Sequence, residues 1–222
     1  MLSSSCKKGD DNPDDGTVKD FDGNVYHTVT IGTQVWMVEN LKNTKYRDGS
    51  PIPNVTDDTD WGNLTTGAYS NYNNNATIGN KYGKLYNWYA VNDSRNITPT
   101  GWHVPTDAEW TTLENYVSAN LGTSGSMGKA LTAKTDWTSS NYPGAIGNDL
   151  TKNNSSGFTA LPGGTRYSSG VFNLIGGSCP WWSSSEDGTD YALGRDVDYF
   201  LSVVGKTYAD KNCGLSVRCV RD

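Results

Sequence analysis

Several features that would settle a function outright are missing from the sequence. No apolar stretch approaches the roughly 20 residues that cross a bilayer as a helix, so no membrane-spanning helix is expected. No run of Lys or Arg exceeds two residues, and the 222-residue chain carries a net charge of −6. That leaves no basic face to neutralise phosphates, and a nucleic-acid partner is not expected. There are only two histidines, and the four cysteines fall in no CxxC or Cys/His spacing, so no zinc site is expected. Neither a GxSxG elbow, an HExxH helix nor a phosphate-cradling glycine loop occurs, which removes the commonest signatures of hydrolases and nucleotide enzymes. Aliphatic residues are sparse as well. Hydrophobic residues make up 35%, and the chain compensates with 8 Trp and 13 Tyr, so its core must be built largely from rings.

What is present reads as short strands joined by turns. Clusters of Asn, Gly, Ser and Thr recur every ten or so residues, and no internal repeat is evident. Residues 20–41 read as a hairpin, in which Val25, His27, Val29 and Ile31 alternate with Tyr26, Thr28 and Thr30 before a Gly32-Thr33 turn. Residues 48–80 are turn chemistry, and the run TDDTD within them reads as a solvated turn. A structural calcium there is the one cofactor left open, although the EF-hand spacing is absent. YGKLYNWYAV, residues 82–91, reads as an aromatic strand or short helix.

In GWHVPTDAEW, residues 101–110, Thr106 and Glu109 form a capping box, and Trp110, Leu113, Val117 and Leu121 follow at helical spacing. A helix is expected over about 107–121, with His103 a hydrogen-bonded packing residue. A second helix is expected over 125–134, with Met127, Ala130 and Leu131 inward. Beyond about 157 only strands and turns follow. The fold class is therefore α+β, with twisted antiparallel sheets, two helices and long loops.

The first residues, MLSSSCKKGDDNPDDG, resemble the end of a bacterial lipoprotein signal followed by the charged tether of surface-exposed lipoproteins of the Bacteroidetes. The resemblance implies lipidation at Cys6 and an outer-membrane, cell-surface location, with the membrane met only through that lipid. It departs from the pattern in having Ser3 where Leu is usual, with Leu2 one position further back, and in lacking the apolar segment. Residues 1–19 read as the tether and residues 20–222 as one domain. Of the remaining cysteines, Cys219 alternates with Val217 and Leu215 on a core face. Cys179 and Cys213 lie at strand ends and are expected to form a disulfide, the alternative pairings being those that use Cys219.

Four stretches in order, GNVYHTVTIGTQVWMVENL, YGKLYNWYAV with GWHVPTDAEW, GFTALPGGTRY, and WWSSSE with GLSVRCVRD, resemble the Fibrobacter succinogenes major paralogous domain family. HVPTDAEW is also similar to an element of formylglycine-generating enzymes. The resemblance implies a C-type-lectin-like fold over about residues 20–222. It does not carry over the enzymes' reactive cysteine pair, since DYALGRDVDYFLSVV contains no cysteine, so no catalytic residue is expected. Some members of the family resemble targets of diversity-generating retroelements.

The function this implies is a non-catalytic surface module binding a glycan or protein ligand. The alternatives are a structural envelope spacer and, behind it, a hydrolase or formylglycine-type relative. In folds of this kind the ligand face is built on the C-terminal strands, and the expected contacts are Trp182, Tyr191, Arg195, Asp198 and Tyr208. Strand alternation puts one of Trp181 and Trp182 inward and the other outward. Along YALGRDVDYF it leaves the inward face ambiguous. Trp36, Trp88, Trp102 and Trp110 read as core.

Overall fold

The computed structural model describes residues 16–121 and 126–222. Cys6 and most of the expected tether lie outside the described residues. The chain joins the fold earlier than the sequence suggests, because β1 (Thr17–Lys19) pairs antiparallel with β2 (Val25–Ile31), Thr17 opposite His27. β2 then turns through Gly32 into β3 (Gln34–Met37), as the hairpin pattern predicts. Gly32 holds φ 63°, and a Cβ there would lie 2.8 Å from the Tyr116 ring, so both backbone conformation and space require glycine.

The turn-rich stretch holds short helices that the sequence reading misses. α1 (Asp58–Gly62) is capped by Asp57, so the TDDTD run starts a helix. After β4 (Tyr69–Ser70) comes α2 (Ala76–Tyr82), capped by Asn75. β5 (Leu85–Tyr86) leads into α3 (Trp88–Val91), capped by Asn87. YGKLYNWYAV is thus a strand followed by a helix. The Asp and Asn residues that read as turn formers cap helices here, their side-chain oxygens accepting orphan first-turn amides.

β6 (Trp102–His103) precedes α4 (Asp107–Asn120), where both halves of the Thr106–Glu109 capping box are made and Trp110, Leu113 and Val117 are buried. The second expected helix is shorter, α5 (Met127–Leu131), with Ala130 and Leu131 buried. Thr132 adopts extended backbone and bridges to Ala160, which ends the helix. Residue 125, where that helix is expected to begin, lies outside the described residues.

β7 (Thr165–Arg166) and β8 (Phe172–Asn173) form a small hairpin. β9 (Ser178–Asp187), β10 (Tyr191–Asp198) and β11 (Gly205–Asp210) make an antiparallel sheet in the order β11-β10-β9. The last strand, β12 (Val220–Arg221), returns to lie between β3 and β6 in a five-stranded sheet ordered β1-β2-β3-β12-β6. The fold is mixed α and β with antiparallel sheets and few helices, in keeping with the α+β class.

Two apolar clusters flank the central strands. One gathers Met37, Trp88, Trp102, Trp182, Val217 and Cys219; the other gathers Trp36, Trp110, Phe158, Cys179, Trp181 and Val220. Adjacent residues therefore serve different cores: Trp36 and Met37, Trp181 and Trp182, Cys219 and Val220. The expectation that one of Trp181 and Trp182 faces outward is corrected on this ground, since β9 has a core on each side and both rings are buried. In the second cluster Trp110 lies 4.9 Å from Trp36 and 5.7 Å from Trp181 between ring centroids, contacts worth roughly 0.5–1.5 kcal/mol each beyond area burial.

The expected disulfide is also corrected. Cys179, Cys213 and Cys219 are free. Cys179 belongs to the second core beside Ser216 and Asn40, whereas Cys213 packs against the first. The two thiols thus serve different cores, and neither is in a disulfide.

Replacing Thr106 with Ala removes the hydroxyl half of the capping box. It is expected to cost about 1 kcal/mol of stability, measured by urea unfolding, with the helix content of the native state unchanged.

Candidate functional site

Of the five expected contact residues, the structure brings two together, places one nearby and buries two. Trp182 is 0% exposed in the first core, its indole Nε1 donating to the Tyr86 carbonyl at 2.7 Å. Arg195 is 3% exposed. Its parity on β10 turns it toward α4, where it pairs with Asp107 at 2.7 Å and with Glu114. Burial pulls its guanidinium down, but the two carboxylates outweigh that and hold it above its ordinary value. Both residues are therefore removed from the contact set: Trp182 packs in a core, and Arg195 clamps sheet to helix.

Tyr191 and Tyr208 are 47% and 58% exposed and line one groove. This cavity of about 290 Å³ lies between the β7–β8 hairpin and the sheet β9–β11. Its wall on the hairpin side includes Thr165, Tyr167 and Leu174, and on the sheet side Pro180, Asp196 and Thr207. Register explains the assembly. Asp196 lies opposite Pro180 on one side and Gly205 on the other, with Gly194 opposite Thr207. These residues share the face away from Arg195 and α4, whereas Tyr191 has the parity of Arg195 and Tyr208, opposite Leu193, has its ring near Lys206, which pairs with Asp107 of α4. Gly205 makes room, since a Cβ there would fall 2.3 Å from Asp196 Oδ1.

Asp196 is the chemically distinctive member. Burial raises its carboxyl above the ordinary 3.8, and no cation pairs with it among the described residues. Asp198 follows on the same face, raised first by burial and further by the charge of Asp196. It sits beside the groove rather than in its lining. The sequence reading missed Asp196, Tyr167 and Leu174. The alternation in RDVD carries a signal for the first, because two carboxylates two apart on a strand share one face. The hairpin residues lie well before β10 in sequence, and only the tertiary fold brings them to the sheet.

His103, expected as a packing residue, is half-buried and hydrogen-bonded at both nitrogens. Nδ1 lies 2.7 Å from Asp222 and Nε2 lies 2.7 Å from Glu109. Glu109 serves twice, its other carboxylate oxygen accepting from the Thr106 amide and hydroxyl. One imidazole thus ties the last residue of the chain to the first turn of α4. Among the described residues, no group of three or more His, Cys, Asp or Glu is placed to hold a metal ion.

An antiparallel, loop-rich α and β module with a tyrosine-lined surface groove is the class that this architecture defines. A model of the Fibrobacter succinogenes major domain matches residues 29–221, and the chain belongs to that family. No curated protein and no solved structure matches it.

The His103 bridge makes stability pH-dependent. Burial lowers the imidazole pKa, but the Asp222 and Glu109 hydrogen bonds outweigh it and leave the folded value above 6.5. Its stabilisation is complete below the unfolded value and is lost as pH rises through the raised folded one. Glu109 is shifted the other way: burial raises it, the Thr106 and His103 bonds outweigh that, and its contribution is lost as pH falls through the depressed value. Thermal unfolding from about pH 5 to about pH 9 should show Tm falling at the alkaline end, and His103→Gln should remove that fall.

Proposed function

We propose that the protein is a non-catalytic ligand-binding module of C-type-lectin-like fold, carried at the outer-membrane surface by a lipid at Cys6, with its ligand held in the β7–β11 groove. The observation that carries the reading is the composition of that groove. Tyr167, Tyr191 and Tyr208 border the groove and stay exposed, and rings of this kind pack against a sugar or apolar side chains. Thr165, Ser178 and Thr207 add donors and acceptors, and Asp196 supplies a carboxylate without a competing cation. A lectin-like reading draws further support from α4 packed against the C-terminal strands while their opposite face carries the groove. A spacer domain would call for scattered rings rather than three tyrosines around one cavity. The ligand class is glycan or protein.

A glycan array and a binding screen against surface proteins, run with the whole chain, test this reading. For any ligand found, Tyr191→Ala and Tyr208→Ala are each expected to weaken binding by about tenfold or more, the scale of an interface hot spot. Asp196→Asn should weaken a ligand with several hydroxyls or an amine. Tyr116→Ala, an exposed ring on α4, should leave affinity unchanged. A ligand indifferent to all three groove substitutions would place the site elsewhere.

A further inference from the structure

Among the described residues, Arg218 is the buried arginine that has no ion pair. It is 1% exposed, as deeply enclosed as Arg166, which pairs with Asp58, and Arg195, which pairs with Asp107 and Glu114. No carboxylate is bonded to Arg218. Its Nε donates to Asn40 Oδ1 at 3.0 Å, and Nη1 donates to the carbonyls of Met37 and Phe158 at 3.0 and 2.7 Å. The guanidinium carbon lies 4.4 Å from the Phe158 ring centroid. These contacts use the Nε proton and both Nη1 protons. Nη2 has no acceptor among the described residues, and burial pulls the guanidinium down to about 10. Nη2 is not among the sealed, unpartnered side-chain atoms, so its two unused donors meet whatever occupies the space in front of them.

Such a space exists. A cavity of about 150 Å³ has Arg218 in its lining, with Val38, Tyr82 and Leu161 as largely apolar walls and Lys81 among the residues that border it. Its one carboxylate, Glu39, is turned to His27, accepting from the His27 amide at 2.8 Å and contacting Nδ1 at 2.8 Å. Lys81 is paired with Asp136. Thr159, also in the lining, holds a left-handed φ of 58°, a conformation that a β-branched residue adopts only at a cost. That turn is pinned by the Asn154 side chain, which accepts from the Thr159 amide at 2.9 Å, and it directly follows the Phe158 carbonyl that Arg218 holds.

We propose that this cavity binds a small organic carboxylate, its oxygen accepting from Arg218 Nη2 and its carbon chain lying between Val38, Tyr82 and Leu161. The volume corresponds to roughly five waters, enough for an acid of a few carbons or for the carboxylate end of a larger molecule. The apolar walls favour such a chain over a strongly hydrated inorganic anion. The site is separate from the tyrosine groove and shares no lining residue with it.

Nuclear magnetic resonance of the whole chain with 15N-labelled arginine tests the proposal. Acetate and propionate should move the Arg218 Nε–H resonance saturably and raise Tm by linkage, whereas sodium chloride at equal ionic strength should do neither. Leu161→Trp fills the cavity while leaving Arg218 in place, and should weaken the carboxylate response by at least about tenfold in a chain that still folds. Methyl glucuronide and a short peptide acid distinguish a free acid from the end of a polymer. A response to acetate and propionate alone supports the first, and tighter binding of either larger probe supports the second. The proposal is overturned if no carboxylate gives a saturable shift, if chloride gives the same one, or if Leu161→Trp leaves the response intact. Arg218 would then face only water.

Discussion

Loop carbonyls held by buried cationic side chains are what the rest of this structure depends on. A chain with so little regular secondary structure has many interior C=O groups that no helix or ladder satisfies, and each unpaired one is costly. Arg166 donates to the carbonyls of Gly170, Val55, Thr56 and Asp57. The half-buried Arg47 does the same for Thr98, Pro99 and Trp102. Lys129 gathers Ile146, Asn148 and Asp149, and Lys211 gathers Gly188 and Thr189. The planar fork of arginine lets one side chain serve several carbonyls at once. Aromatic faces supply the remaining shell: Arg166 lies 4.4 Å from the Trp61 ring centroid and 4.7 Å from that of Phe172, and Lys211 Nζ lies 4.7 Å from that of Trp88. The richness in Trp and Tyr and the poverty in aliphatics belong to this same solution.

With the loops pinned in this way, the central strands can carry a core on each side. β9 gives Trp181 to one and Trp182 to the other, and β12 with the residue before it does the same with Val220 and Cys219. A strand buried on both faces has no side chains left for binding. Beside it, the rings that remain in reach of solvent lie on β10, β11 and the β7–β8 hairpin, as Tyr191, Tyr208 and Tyr167. Arg195 illustrates the boundary. It stands one residue from Asp196 on β10, yet it is enclosed under α4 while Asp196 lines the groove.

What could be read from the sequence follows the range of the interactions concerned. The capping box at Thr106 and Glu109 and the hairpin through Gly32 are set by neighbours a few residues apart, and they appear as expected, as does the burial of Trp36, Trp88, Trp102 and Trp110, which follows from ring size in a chain poor in aliphatics. Trp182 and Arg195 are buried where alternation alone leaves them open to solvent, because it tells which residues share a face, not whether a second core or a helix covers it. Asp57, Asn75 and Asn87 show a different ambiguity: the same side-chain oxygens that favour turns also cap helices. The carbonyl ties of Arg166 span more than a hundred residues in sequence, and no local pattern announces them.

The groove, the two cores and the short helices all presuppose that the loops stay where the buried cations hold them. Arg166 is the clearest case, being fully buried and tying the segment before α1 to the hairpin that walls the groove. Urea unfolding of Arg166→Met and Arg166→Lys measures this directly. The account predicts a loss of about 3–5 kcal/mol for Met, the cost of breaking a buried charged network, and only partial recovery for Lys, whose point charge cannot span the same carbonyls. A Met variant within about 0.5 kcal/mol of the parent would contradict it.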